Sequence, residues 1–154
     1  MAKKEKAEFK KNVSIKNRKA SHEYHFVEKF TAGMVLTGTE IKSIRQSKVN
    51  MQDAFCLFVG EELFVRNMHI APYEMSTMVN HEAKADRKLL LNKRELRKIK
   101  EALKDQGVTI VPTFMYITSR GWAKIEIAVS KGKKLYDKRQ DLKAKDQKRE
   151  MGKY

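Results

Sequence analysis

The side chains most able to do chemistry are few and scattered along the chain. His22 and His25 form an H-x-x-H pair, but the other two histidines lie far away and no pair of cysteines accompanies them. A zinc site needs three or four ligands at recognisable spacings, so we expect neither a metal nor another cofactor. The single cysteine, Cys56, lies in an apolar run and is interpreted as a small buried residue. Acidic residues such as Glu61 are explained by a hairpin turn, and the sequence does not favour an enzyme.

Cationic and aromatic side chains alternate in "NRKASHEYHF", residues 17–26. In such a stretch, cations can meet phosphates while rings stack on unpaired bases. A second cationic pair that we expect to contact RNA, Arg87 and Lys88, precedes a leucine triplet that we interpret as a strand entering the core. The residues of the first stretch that we expect to contact RNA are Asn17, Arg18, Lys19, His22 and Tyr24.

The positive charge is concentrated at the two ends of the chain. The 154 residues carry a formal net charge of +15. Residues 1–22 hold eight Lys/Arg against two acids, and residues 131–154 hold ten against four. Basic arms around a nearly balanced body are typical of nucleic-acid binding, although solubility alone is the simpler alternative. We therefore divide the chain into a basic N-terminal arm (1–22), a folded RNA-binding body (23–130) and a basic tail (131–154).

The sequence predicts neither a membrane protein nor an exported one. No apolar stretch approaches the roughly 20 residues that span a bilayer, and the N-terminus lacks the apolar core of a signal peptide. A lone cysteine fits a reducing compartment. We expect a cytoplasmic protein.

The first half of the body predicts short strands and one short helix. A strand begins near Tyr24 and turns at Gly33, and the Thr37–Glu40 spacing is that of a capping box. Two apolar runs around Gly60 predict a hairpin whose second strand ends at Pro72.

The second half predicts a longer helix and a second hairpin. Asn92 and Glu95 have the spacing of a helix cap with its return partner, and Gly107 ends that helix. Pro112 cannot donate a ladder hydrogen bond and is expected at an edge or bulge. The hairpin turns near Gly121, and its return strand alternates, with one set of side chains directed inward, Ala123, Ile125, Ile127 and Val129, and the other outward, Trp122, Lys124, Glu126 and Ala128.

Five or six antiparallel strands, with a helix between the third and the fourth, predict a mainly β protein with short helices. We expect a closed antiparallel β-barrel of the OB type, which leaves no exposed sheet edges. The basic tail offers a helix only a thin apolar seam, so we expect it to be disordered when free and ordered by a polyanionic surface.

Four blocks of the sequence together resemble the small protein B (SmpB) family of SsrA-binding proteins. The blocks are "NRKASHEY" (17–24), "AGMVLTGTEIKSIR" (32–45), "RKLLLNKREL" (87–96) and "KGKKLYDKR" (131–139). The resemblance runs from about Asn17 to Glu150, and the last block, followed by Asp141 and Lys143, is the most specific.

The resemblance implies an OB-like RNA-binding protein of trans-translation, which rescues stalled ribosomes. Members of the family bind the tRNA-like domain of transfer-messenger RNA and stand where its missing anticodon stem would be. They act at the decoding centre of the small subunit when the messenger channel is empty. Alanyl-tRNA synthetase and elongation factor Tu are then indirect partners.

The resemblance also implies roles for particular residues. The first block lies near the decoding centre or the RNA elbow, and the second block contacts the tRNA-like domain through Thr39, Glu40, Lys42 and Arg45. The tail becomes helical in the vacant channel and senses that no message is there. Its functional residues are Gly132, Lys133, Lys134, Leu135, Tyr136, Asp137, Lys138 and Arg139.

Two departures from the family pattern bear on RNA contacts. Thr31 stands where the family commonly has a glutamate implicated in RNA binding. The loop "HEAKADRKLLL" has Glu82, Ala83 and Ala85 where the family has Asp, Pro and a spaced Arg. The missing proline predicts a looser loop and the missing arginine a weaker phosphate contact, for which Lys84 is a candidate replacement.

Two alternatives remain open from the sequence. A generic OB-type binder of single-stranded nucleic acid, or a ribosomal protein with basic arms, would carry base-stacking aromatics on its strands. The ordered "GKKLYDKR" pattern of the tail argues against it, because a simple phosphate-binding arm needs no such order. A small nuclease or RNA-modifying enzyme would need an acidic cluster or a metal motif, and the sequence supplies neither.

Overall fold

The computed structural model describes residues 13–76 and 80–133. Residues 134–154, which include most of the predicted functional tail, lie outside the described residues. The helices and strands, in chain order, are β1 Ser14–Lys16, α1 Arg18–Glu23, β2 Tyr24–Met34, α2 Gly38–Arg45, β3 Val49–Asn50, β4 Phe55–Val59, β5 Glu62–Arg66, β6 His69–Ile70, β7 Arg87–Leu90, α3 Lys93–Ala102, β8 Val108–Ile117 and β9 Ala123–Gly132.

Six strands form a sheet that closes on itself. Around the ring the order is β8, β4, β5, β7, β2 and β9, and β9 pairs with β8 again. All of these pairings are antiparallel. The prediction of a mainly β fold with few short helices is confirmed. Because Arg87–Leu90 is a strand, the longer helix lies between the fourth and fifth strands of the ring, and the prediction of a place between the third and fourth is wrong.

The core fills the interior of this ring. Ile110, Ile125 and Ile127 are fully buried, and the alternation predicted for β9 holds for its inward face. Ala128, predicted on the opposite face, is also fully buried, so the expectation that β9 has only one buried face is wrong at this residue. Helix α1, which contacts β8 and β2, covers this part of the outer face, and its own Ala20 is buried as well.

Both predicted capping boxes are present. The Thr37 amide donates to the Glu40 carboxylate at 2.9 Å, and the Glu95 amide donates to the Asn92 side chain at 2.8 Å. The capping boxes set where the two helices begin. Packing then holds the helices, because the last turn of α2 and the middle of α3 each place an isoleucine in the core. The predicted starts of both helices are confirmed.

Both hairpins turn where the sequence predicts, at Gly60 (φ 64°) and Gly121 (φ 90°). The expectation that the second strand of the first hairpin runs to Pro72 is wrong. Asn67 adopts a positive φ of 62° and ends the ladder after Arg66. The next residues form the separate strand β6, which pairs with β3.

Gly33 lies inside a strand, and the predicted turn at this position is wrong. Strand β2 continues to Met34, and Gly33 is paired on both sides, with Lys124 of β9 and Leu90 of β7. A Cβ on Gly33 would lie 3.4 Å from Cβ of Leu90. That distance is an ordinary van der Waals contact, and Gly33 is not needed for a turn.

The folded structure includes residues before Tyr24 that the sequence assigned to the N-terminal arm. Strand β1 pairs with the second half of β8, whereas β4 pairs with β8 at Ile110. The ladder between β8 and β9 shifts between Pro112 and Phe114, which confirms the predicted bulge. The division of the chain into an arm, a body and a tail stays a prediction, because residues 1–12 and 134–154 are not described.

Candidate nucleic-acid interface

Asn17 anchors helix α1 to the closed sheet. Its side-chain amide donates to the carbonyl oxygens of Met51 (2.9 Å) and Pro112 (2.8 Å), and its oxygen accepts from the Ala20 amide. Asn17 is only 3% exposed. An RNA contact by Asn17 stays a prediction, but in this position the side chain acts by orienting the helix that follows it.

The exposed face of α1 presents the cations that the sequence marks. Arg18 and His22 are exposed and lie four residues apart, which places them on one side of the helix. Lys19 donates to Asp53 at 2.8 Å, a hydrogen bond that raises the pKa of Lys19 and lowers that of Asp53. Since both groups are exposed, water screens this pair, and Lys19 can exchange Asp53 for a phosphate at small cost.

Glu40 and Arg87 form a buried ion pair beneath helix α2. The Arg87 Nε donates to the Glu40 carboxylate, and the two side chains are 2% and 6% exposed. Burial raises the pKa of Glu40, but the Thr37 amide and Arg87 outweigh that effect, so the pKa lies below its ordinary value. Direct RNA contact by these two residues stays a prediction, whereas their place in the interior makes them supports of the surface above.

The loop before β7 is held by the same arginine. Arg87 donates to the carbonyl oxygens of Met68 (2.6 Å), Glu82 (3.1 Å) and Ala83 (3.0 Å). His81 accepts from the Thr39 hydroxyl at 2.9 Å through Nδ1, while its Nε2 donates to the Ile70 carbonyl at 2.9 Å. The loop formed by residues 80–86 is thereby hydrogen-bonded to helix α2 and to strand β6.

Helix α2 carries the other two predicted contacts on its surface. The Lys42 ammonium lies 5.4 Å from the centre of the Tyr73 ring, and the residue is exposed. Arg45 is partly exposed, but its Nε is buried without a hydrogen-bond partner. The accessible part of a guanidinium group is suited to phosphate oxygens, so Arg45 is a candidate phosphate contact by its partial exposure and not by its buried Nε.

A groove beside Arg45 contains residues that the sequence interpretation missed. We call it the tryptophan groove; it has a volume of about 260 Å³ and is lined by Met34, Leu36, Ile41, Arg45 and Trp122 among others. Trp122 is 69% exposed. A large indole ring in solvent next to an arginine is the kind of surface on which an unpaired base stacks.

Two further side chains, exposed Leu90 and half-buried Lys124, extend this surface along the neighbouring strands. Leu90 is 51% exposed, and Lys124 places its Nζ 3.8 Å from where a Cβ on Gly33 would lie. The signal for these residues was available in the sequence. The alternation that begins at Trp122 and continues in β9 directs both Trp122 and Lys124 outward. A large apolar ring exposed to solvent indicates a binding surface, whereas an exposed lysine by itself does not.

Thr31, the departure from the family pattern, lies opposite a carboxylate. Strand pairing places Thr31 directly across from Glu126, so the two side chains share the outer face of the sheet. Glu126 accepts a hydrogen bond from the Thr113 hydroxyl at 2.8 Å. Position 31 therefore lacks the glutamate of the family, but it has an acidic neighbour on the next strand.

The remaining predicted residues that the structure describes are Tyr24, Lys88, Gly132 and Lys133. Tyr24 begins β2 and pairs with Gly132, which ends β9 and is therefore part of the sheet. The Lys133 amide donates to the Glu23 carbonyl at 2.8 Å. Lys88 forms an exposed ion pair with Glu62 at 3.0 Å. The root of the tail is thus attached to the end of helix α1.

Within residues 13–76 and 80–133, no three His, Cys, Asp or Glu side chains are grouped so that they could hold a metal ion. Cys56 is buried, as predicted, and this burial raises the pKa of its thiol. Among the same residues, every helix is too short or too polar to cross a membrane.

Comparison with known proteins gives one consistent family. A family model described as SmpB protein matches residues 14–154. The SsrA-binding protein of Phocaeicola vulgatus is 55% identical over 139 residues, covering 90% of this chain and 93% of that protein. The SsrA-binding protein of Cytophaga hutchinsonii is 54% identical over 144 residues, covering 94% of each chain.

A solved structure agrees with this result. A chain from a structure described as "tmRNA-SmpB: a journey to the center of the bacterial ribosome" is 40% identical to this one, with a TM-score of 0.68. The match covers 80% of this chain and 86% of that one. Because the family model spans all but the first residues and relatives of similar length are more than half identical, this chain belongs to the SmpB family.

Proposed function

We propose that this protein binds the tRNA-like domain of transfer-messenger RNA and delivers that RNA to stalled ribosomes in trans-translation. The observation that carries the proposal is the near full-length similarity to SsrA-binding proteins. A chain from a tmRNA–SmpB structure, 40% identical with a TM-score of 0.68, supports it. The protein acts by binding and placing RNA, and in the family pattern its body occupies the position of the missing anticodon stem.

We assign RNA contact to exposed side chains and support to buried ones. Arg18, Lys19 and His22 on α1 form one contact surface. Lys42 and Arg45 on α2 form a second, which the tryptophan groove extends. The buried residues Asn17, Glu40 and Arg87 hold these helices in place. We add three residues that the sequence interpretation missed to the proposed RNA contacts, namely Leu90, Trp122 and Lys124.

We further propose that the closed ring of strands is an OB-type barrel. Antiparallel pairing around a full ring and a helix between two of its strands support this assignment. A three-part organisation follows, with a basic arm, the barrel and a basic tail that becomes helical in the empty messenger channel. The cytoplasm is the compartment in which ribosomes are rescued, and alanyl-tRNA synthetase and elongation factor Tu act on the same RNA.

The proposal is tested by binding of the full chain to the isolated tRNA-like domain. We expect tight binding to the folded domain and binding at least ten-fold weaker to a scrambled RNA of the same length. A double variant of the tryptophan groove, Trp122→Ala with Lys124→Gln, should lose affinity for the folded domain, because a stacked ring is worth about 1–3 kcal/mol per base.

A matched control removes one exposed apolar side chain and one exposed lysine elsewhere. Val59→Ala with Lys98→Gln meets that description, since Val59 is 53% exposed and Lys98 lies on the surface of α3. The control should bind the folded domain like the parent protein. Equal binding of the parent protein to folded and scrambled RNA would reject the proposed function and favour a generic binder of single strands.

A further inference from the structure

A second groove lies on a different part of the surface, between helix α3 and the β4–β5 hairpin. It has a volume of about 300 Å³, which is the lower end of the range for small-molecule sites. It is lined by Phe58, Glu61, Lys93, Leu96, Arg97 and Lys100. None of these residues belongs to the RNA contacts assigned above, so we call this the helix α3 groove and consider it separately.

Three cations follow one side of α3 along this groove. Lys93, Arg97 and Lys100 are spaced at i, i+4 and i+7, which places them in one row at rises of about 6 and 4.5 Å along the helix axis. Within the described part of the chain, no carboxylate lies within ion-pair distance of any of the three. An unneutralised row of cations at this spacing is suited to successive charges of a polyanion.

Other cations of the same helix are differently placed. Lys98 lies 3.9 Å from Glu28, and Lys104, just beyond the helix, lies 3.1 Å from Glu101. Arg94 and Lys98 are exposed but do not line the groove. Only the row of Lys93, Arg97 and Lys100 therefore combines charges without an ion-pair partner, among the described residues of α3, with a place in the lining of the groove.

Phe58 gives the groove an aromatic wall. The residue is half-buried and packs against the hydrophobic core, which fixes its ring. The Lys100 ammonium lies 6.0 Å from the ring centre, so the exposed face of the ring already attracts a cation. A flexible lysine can move from the ring to a phosphate and leave that face free for a base.

We propose that the helix α3 groove binds one unpaired nucleotide of an RNA strand. The base stacks on Phe58, and its phosphates contact Arg97 and Lys100. The carboxylate of Glu61, at the hairpin turn, accepts a hydrogen bond from an exocyclic amine, as acidic side chains do with cytosine. The groove thus favours cytosine or adenine over uracil. The inference stands independently of the proposed function, because it concerns a surface outside the assigned contacts.

A pair of matched double variants tests the charge requirement. Arg97→Gln/Lys100→Gln and Arg94→Gln/Lys98→Gln each remove one arginine and one lysine from the same helix. We expect the first pair to weaken binding of the full chain to a short oligocytidylate and to lower the salt slope of log K by about 1.4, at about 0.7 per lost contact. The second pair should change the slope by much less. Equal effects, or no effect from either pair, would overturn the proposal.

Substitutions at the base position test stacking and base preference separately. Phe58→Leu keeps an apolar side chain on the core and should weaken oligocytidylate binding about five-fold or more. Glu61→Gln should reduce the preference for oligocytidylate over oligouridylate while leaving oligouridylate binding nearly constant. Thermal unfolding checks that Phe58→Leu is folded. An oligocytidylate affinity that neither substitution changes would show that the groove attracts only the backbone, which contradicts the proposed site.

Discussion

At the residue scale, Arg87 connects more of the polar interior than any other side chain described above. Its guanidinium joins Glu40 of α2 to the carbonyl oxygens of Met68, Glu82 and Ala83. From the sequence, we predicted that this arginine contacts RNA, because a cation beside an apolar segment is usually exposed to solvent. Burial of an arginine could not be predicted from local pattern, since its acceptors come from segments far apart in the chain.

Removing Arg87 should therefore destabilise the protein strongly. Arg87→Ala leaves the Glu40 carboxylate buried without its partner, which costs about 3–5 kcal/mol in comparable cases. Urea unfolding measures the loss. Arg66→Ala, which breaks an exposed ion pair with Asp86 (2.9 Å), is the matched control and should change stability far less. Comparable losses in the free energy of unfolding would show that the buried ion pair contributes no more to stability than the exposed one.

The same pair predicts how stability depends on acid. The pKa of Glu40 is lower in the folded protein than in the unfolded chain, so the ionised carboxylate stabilises the fold fully above about pH 4.5. That contribution is lost as the pH falls through the folded-state pKa. Glu40→Gln should make the free energy of unfolding less dependent on pH below 4.5, as measured by urea unfolding at several pH values. An unchanged pH profile would exclude Glu40 as a source of the acid sensitivity.

The carboxylate opposite Thr31 leads to another prediction. If Glu126 supplies the acidic group that the family commonly carries at position 31, Glu126→Gln should weaken binding to the tRNA-like domain several-fold. Adding Thr31→Glu to that variant should restore binding, since both side chains lie on the same face of paired strands. Gel-shift titration gives the two affinities. If the double variant binds no better than Glu126→Gln alone, Glu126 acts on the structure through its hydrogen bond with Thr113 and does not replace the family's glutamate.

At the element scale, the features that the sequence predicted well are local. The two capping boxes and the turns at Gly60 and Gly121 depend on residues within a few positions of each other, and they appear at the expected places. Helix α1 was missed because its six residues show little apolar periodicity and its attachment depends on distant partners. Asn17 reaches Met51 and Pro112, which are 34 and 95 residues away.

Helix α1 should consequently detach when Asn17 is replaced. Asn17→Ala removes a helix cap and the amide that donates to the carbonyl oxygens of Met51 and Pro112, so we expect a loss of about 2 kcal/mol in the free energy of unfolding. Hydrogen exchange should show faster exchange in α1 than in β5. Asn92→Ala, at the exposed cap of α3, is the comparison and should cost about 1 kcal/mol. Slow exchange in α1 of the Asn17 variant would contradict an anchoring role.

At the scale of the whole molecule, closure of the sheet is the feature furthest from local pattern. The sequence interpretation expected closure on general grounds, since short strands without exposed edges favour a barrel. The partners themselves could not be assigned, because β2 joins β7 and β9, from the other half of the chain. The tryptophan groove was missed for a related reason. It combines Leu36 and Ile41 with Trp122, which lies 86 and 81 residues further along the chain.

The tail is predicted to act separately from the body. Because β9 runs to Gly132 and Lys133 is bonded to Glu23, the cut that preserves the sheet falls after Lys133, and a cut after Ser130 would remove paired residues. Residues 1–133 should keep affinity for the tRNA-like domain within a few-fold, and they should lose peptide tagging on stalled ribosomes.

A full-length variant with Asp137→Ala, Lys138→Ala and Arg139→Ala should reproduce this separation. In-vitro translation on a message without a stop codon measures tagging, and gel shift measures RNA affinity. If the shortened chain loses RNA affinity in parallel with tagging, the tail is an affinity arm and not a sensor.

The attachment of the last strand also has a mechanical consequence. Lys131 of β9 is paired on both sides, with His25 of β2 and Val108 of β8, and both ladders run most of the length of the strand. A pull on the tail along the strand axis loads these hydrogen bonds in shear, so that many must break together instead of opening one after another. The body should therefore resist extraction when its tail is drawn through a narrow passage, and the force should instead turn the whole molecule about the root of the tail beside α1.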